Sequence, residues 1–178
     1  MLLHIQFQQK SNNATININD EQVYYTSDNK GFFVQKIALW SSSDKQMILE
    51  GFCRMLPPKF KIILSDKTEL AFKPDGLQAL NYYCKTQGNR YDIYQHKDRK
   101  HSIFLNEKQI AFFDKGEISS FGADNYTLTA DSDSDIELLL GFLLILHIIN
   151  GGNKQSIYSK DIGNIWEKRA FDTSWTPK

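Results

Sequence analysis

"DSDSDIELLLGFLLILHIING", Asp131 to Gly151, is the stretch on which the fold turns. From Ile136 to Ile149, eleven of fourteen residues are large and apolar; the exceptions, Glu137, Gly141 and His147, do not line up as one solvated stripe. A helix of this kind is apolar all round and needs either lipid or protein on every side. Fourteen residues rise about 21 Å, short of the ~30 Å of a bilayer core. No Lys or Arg closely flanks the run and no aromatic belt frames it. The reading adopted is therefore a helix over about 135–150, enclosed by protein. Ser134-x-x-Glu137 reads as its capping box. Asp131, Asp133 and Asp135 add negative charge where the helix dipole favours it, and Asn150-Gly151-Gly152 supplies a left-handed stop. Gly141 lowers helix propensity by about 1 kcal/mol, which predicts a strand or large side chain pressed against the backbone there. His147 reads as a neutral core histidine bonded to a backbone carbonyl.

What encloses the helix must come from the rest of the chain. From Leu2 to Ala130 short runs alternate with period two: Leu3, Ile5 and Phe7 share one face, as do Phe60, Ile62 and Leu64, and Tyr126, Leu128 and Ala130. Turn chemistry separates them at Asn29-Lys30-Gly31, Pro57-Pro58, Pro74-Asp75-Gly76, Gly88-Asn89 and Asn106-Glu107. Ten to twelve short strands at this spacing predict a barrel or sandwich. "GLQALNYYCKTQG" fits either a short helix or a strand. "KIILSDKTELAFK" and "HSIFLNEKQIAFF" echo one another with one residue of slippage and read as two similar hairpins.

Composition narrows the partners. The 178 residues hold 21 Lys plus Arg and 21 Asp plus Glu, so no overall field draws nucleic acid or an anionic membrane. Cys53 and Cys84 lack CxxC spacing and a neighbouring His, which favours buried free thiols. The opening "MLLHIQFQQKSNN" is not a signal peptide, and with the free thiols it makes a cytoplasmic setting the expectation.

Motifs with built-in chemistry are scarce. The acidic run before the helix fails as a calcium loop, since its sixth and twelfth positions are Ile136 and Phe142. His96 and His101 flank "KDRK" in what reads as an exposed hairpin; across paired strands they would share a metal, but no third ligand stands at suitable spacing. No nucleophile elbow, zincin or nucleotide-binding run occurs, so no catalytic residue, metal or cofactor is expected. Lys97, Arg99 and Lys100 form the densest basic cluster, suited to a phosphate headgroup if not simply solvated. Past the helix, Ile157, Tyr158, Ile165, Trp166, Phe171 and Trp175 are too apolar for a free tail; covering the barrel mouth or rim is preferred to an interface with another chain. Trp166 with Lys168 and Arg169 is the second candidate partner site.

The strand-rich chain, "RYDIYQHKDRKHSIFLNEKQIAFFDKG", then "NYTLTADSDSDIELLLGFLLILHII", resembles the tubby C-terminal-like superfamily, which includes the LURP-one-related proteins and the phospholipid scramblases. The likeness covers about Val23 to Asn150 and is one of spacing and polarity. It implies a closed antiparallel barrel of about twelve strands round a buried hydrophobic helix: one domain over 1–150, with 151–178 as an extension packing on the barrel or on a partner. Relatives often carry an Asp near the helix end, where this chain has His147 and Asn150, and the phosphoinositide-binding basic cluster of tubby domains has no counterpart. The expectation is a non-enzymatic module that engages a protein partner or an anionic lipid headgroup through barrel-end loops, with no nucleic acid and no transmembrane span. The alternatives are a membrane-associated scramblase-like protein and a hydrolase with a site on the rim.

Overall fold

The computed structural model of the chain describes residues 1–10, 13–19, 21–30, 34–55, 58–75, 81–86, 88–96, 100–115, 123–149 and 168–178. The alternating zone forms twelve strands. They are β1 (Leu2–Lys10), β2 (Asn13–Ile18), β3 (Glu21–Lys30), β4 (Val34–Ser41), β5 (Met47–Met55), β6 (Pro58–Leu64), β7 (Glu69–Pro74), β8 (Tyr82–Lys85), β9 (Arg90–Gln95), β10 (Lys100–Leu105), β11 (Lys108–Lys115) and β12 (Ala123–Ala130). The apolar run is one helix, α1 (Ile136–Ile149).

Each strand pairs antiparallel with its neighbours in sequence, and β1 pairs with β12 from Leu2↔Thr129 to Gln8↔Ala123, which closes the sheet into a barrel. Closure pairs off the two edges that an open sheet would leave exposed. The ambiguous "GLQALNYYCKTQG" supplies β8, while its residues 76–80 and 87 lie outside the described part, as do Gly31 and Pro57 of the expected turns. The two look-alike segments are the β6–β7 and β10–β11 hairpins. Asn106 and Glu107, at φ 47° and 72°, make a two-residue turn. Ser65 to Lys67 make a three-residue loop, with Lys67 at φ 70° and the Leu64 N–H donating to the Thr68 carbonyl at 3.0 Å. That difference of one loop residue is the slippage seen in sequence.

Helix α1 fills the lumen. Leu138 to Leu146 and Ile148 are buried, and the burial contributes about 1.5–3 kcal/mol for each large side chain before entropy is subtracted. Contacts come from around the barrel: Phe142 packs on Phe72 of β7 and Tyr91 of β9, Ile145 on Gly51 of β5, and Tyr24 of β3 bonds Glu137. Two glycines let α1 approach the β5–β6 wall. A Cβ on Gly141 would meet Leu49 Cδ2 at 3.0 Å and Ile62 Cδ1 at 3.3 Å; one on Gly51 would meet Ile145 Cδ1 at 3.1 Å. Cys53 and Cys84 are buried on β5 and β8 and are not joined in a disulfide. Among the described residues no helix is long and apolar enough to cross a membrane.

The helix start departs from the expected capping box. Asp135, not Ser134, is the N-cap: its carboxylate accepts the Leu138 N–H at 3.0 Å and its carbonyl the Leu139 N–H at 3.0 Å. A carboxylate reaches the third helical amide and adds favourable charge at the dipole's positive end, an advantage serine lacks. Ser134 Oγ makes no hydrogen bond, and Glu137 instead accepts from the Tyr24 hydroxyl at 3.4 Å. His147 is half-buried, with Nδ1 3.4 Å from the Tyr126 hydroxyl.

Candidate functional site

The outer face of a barrel is ordinarily solvated, but one sector of this barrel is not. By register Asp92, Tyr94 and His96 lie beside Ser102 and Phe104 of β10 and Gln109 and Phe112 of β11, all facing outward. All but Phe112 are buried. A bulge opposite Ile103 and Phe104 turns Ile110 and Ala111 into the core together and keeps Gln109 outside.

Residues 168–178 lie over this sector. The Arg169 guanidinium sits 3.7 Å from the Phe104 ring centroid. Phe171 packs edge-on against His96 and Phe112, with centroids 5.2 and 5.5 Å away. Trp175 meets Phe112 edge-on, and its Nε1–H donates to the Gln109 carbonyl at 3.2 Å. The Lys178 N–H donates to the Asp131 carboxylate at 2.8 Å, and the Ser132 N–H donates to the Lys178 carbonyl at 2.9 Å. Asp131, expected to serve the helix dipole, is buried and anchors this tail.

The described members of the two basic clusters, Lys100 of one and Lys168 and Arg169 of the other, lie on this face. Lys100 Nζ lies 5.2 Å over the Phe171 ring and 3.9 Å from Asp114. Lys168 pairs with Asp75, whose hydrogen bond raises the ammonium pKa, and Arg169 lies 3.5 Å from Glu107. Arg90 holds Asp92 through Nε at 2.8 Å and Nη2 at 2.7 Å while stacking on Tyr83. Lys97, Arg99 and Trp166 lie outside the described residues.

The histidines depart from expectation. His96 is buried rather than exposed, with Nε2 2.5 Å from Ser102 Oγ. His101 pairs with Phe113 and so faces inward, on the opposite side of the sheet from His96; the two cannot share a metal. Among the described residues no group of three or more His, Cys, Asp or Glu is placed to hold a metal ion. Ser102 is 1% exposed, and His96 lies under Phe171.

A second feature lies at the barrel mouth where α1 begins. A groove of about 530 Å³ is lined by Val23, Tyr24, the Ser41–Asp44 turn, Ile48 and Glu137. Burial, then the neighbouring Glu137 carboxylate, push the Tyr24 phenol up. The Gln46 N–H, donating at 3.1 Å, holds the Asp44 carboxyl down. Two carboxylates, serine hydroxyls and the apolar flanks of Val23 and Ile48 suit a cation on an aliphatic stem. The groove was not anticipated from sequence; packing of the tail on the barrel was expected, but at the mouth or rim rather than on the outer wall of β9–β11. The "SSSD" turn and the Asp-x-Tyr-x-His alternation of β9 are their sequence traces, and both read equally well as solvated surface. Comparison with protein-family models, with curated proteins and with solved structures finds no match to this chain.

Proposed function

We propose that the chain is a non-enzymatic interaction module of the tubby-like type that holds a segment of a protein partner at the barrel mouth. The observation that carries this reading is the filled lumen. With Leu139, Leu140, Phe142, Leu144 and Ile145 all at most 1% exposed, recognition falls to the exterior rather than to an internal chamber of the kind other barrels use. At the mouth, Asp44 and Glu137 beside Val23 and Ile48 favour a lysine or arginine of the partner and disfavour an anionic headgroup.

A photocrosslinking amino acid at Ser43, compared with one at Lys59 far from the groove, tests the reading. A protein adduct formed from Ser43 alone, and weakened by Glu137→Gln, is the expected result. The same preparation is sedimented with phosphatidylcholine vesicles with and without phosphatidylserine. Salt-dependent co-sedimentation that requires phosphatidylserine would replace the protein partner by a lipid headgroup, and absence of any adduct would overturn the mouth as the binding site.

A further inference from the structure

Beyond the mouth groove, the tail-covered face of β9–β11 has the properties of a receptor already holding a ligand. The tail's contacts are those of a bound peptide: Arg169 over Phe104, Phe171 between His96 and Phe112, Trp175 on Phe112, and Lys178 joined by its backbone to Asp131 and Ser132. Acidic groups on the barrel meet its cations, Asp75 with Lys168 and Glu107 with Arg169. Nothing in the hydrophobic core comes from residues 168–178; the core runs from Ile5 to Ile148 with α1 inside it. The tail can therefore leave without opening the lumen, a local event of the kind that segments held by side chains undergo.

The cover is also incomplete. Gln109 is 6% exposed, and neither its Nε2 nor its Oε1 has a hydrogen-bond partner. Burying both ends of an amide unsatisfied is unfavourable, and an occupant with a polar group at this point would relieve it. The bulge keeps this amide on the outer face, beside the aromatic layer.

We propose that this face is a docking site for a partner protein's peptide that carries a cation, an aromatic residue two positions later and a second aromatic four positions after that, with a polar group to pair Gln109. Residues 168–178 occupy the site in its absence and compete with the partner.

A fluorescent peptide with the sequence of residues 168–178 is titrated into the full chain and into its Phe171→Ala/Trp175→Ala form, whose fold is checked by circular dichroism and thermal melting. The opened form binds the peptide about tenfold or more tightly than the unmodified chain, whose own tail occupies the site most of the time. Adding Phe112→Ala, or replacing the peptide's two aromatic residues by alanine, removes binding. A folded double variant that takes up no peptide, or binds it no better than the unmodified chain, overturns the proposal. Hydrogen exchange on the unmodified chain decides independently of any substitution. The Lys178 amide exchanges faster than the β10 amides by about a hundredfold or more if the tail is a displaceable cover; exchange at the β10 rate overturns it. Failure here leaves the mouth groove untouched, since the crosslink at Ser43 reads a separate surface.

Discussion

Replacing Gly141 with alanine sets two effects of opposite sign against each other. In an unobstructed helix interior the change stabilises by about 1 kcal/mol, because glycine gives up more backbone freedom. Here the added methyl would lie 3.0 Å from Leu49 Cδ2 and 3.3 Å from Ile62 Cδ1. Leu49 and Ile62 are both fully buried, so neither can turn aside without displacing further core neighbours; crowding of this sort costs about 1–3 kcal/mol. The net expectation is a loss of about 0–2 kcal/mol, or a Tm drop of up to ~8 °C for a chain of this size. Leu49→Ala alone costs about 2–5 kcal/mol through lost burial and the cavity it leaves. Combined, the methyl at position 141 occupies part of that cavity and its closest clash is gone, so the double variant is about 1 kcal/mol or more better than additive. Urea denaturation at unchanged m-value measures all three. A Gly141→Ala chain stabilised by about 1 kcal/mol, with no coupling to Leu49, would refute the packing of α1 against β5.

Three further outcomes are expected. Asp135→Ala lowers stability by about 0.5–2 kcal/mol in urea melts whereas Ser134→Ala does not; the reverse order would restore the capping box. Burial pushes the Cys53 and Cys84 thiols up to about 11. The folded chain then holds their protons more tightly than the unfolded chain does, so their contribution is full below pH about 9 and is lost as pH rises through about 11. Cys53→Ala/Cys84→Ala should flatten that alkaline decline, and an unchanged slope would count against it. Asp92→Ala removes a buried carboxylate that accepts bidentate bonds from Arg90. Hydrogen bonds to charged groups contribute about 1.5–3 kcal/mol, and the half-buried Arg90 can turn to water, so a loss near the lower figure is expected by urea denaturation.

The legibility of the chain follows from which residues had one environment open to them. Leu138 to Ile148 admit no solvated face, so enclosure of α1 and a surrounding strand layer follow directly from their pattern. Gly141 was readable for the same reason: a helix glycine among leucines implies a close neighbour. The cap was ambiguous because Ser134 and Asp135 are adjacent acceptors, and a one-residue shift of the boundary decides between them. Packing of the tail on the barrel was expected, but which sector it covers was not legible. Asp92, Tyr94, His96 and Ser102 alternate with core residues as solvated residues do; their burial involves partners set by the fold, Arg90 on Asp92, His96 on Ser102 and the returning Arg169 and Phe171 on Tyr94 and His96. Lys100 and Arg169 were each found as basic positions, but their meeting on one aromatic layer is set by barrel geometry rather than by spacing.

The order of elements along the chain bears on how the molecule is made. Every lumen-facing side chain of the twelve strands is synthesised before the segment that fills the lumen, and the seam between β1 and β12 joins residues more than a hundred positions apart. A ribosome therefore releases an apolar, unplugged sheet and only afterwards its plug, so closure is a late, long-range step during which the greasy inner wall is open to self-association. Truncation after Asp135, which removes α1 whole, should leave a hollow shell that aggregates, whereas loss of residues 168–178 should spare the barrel.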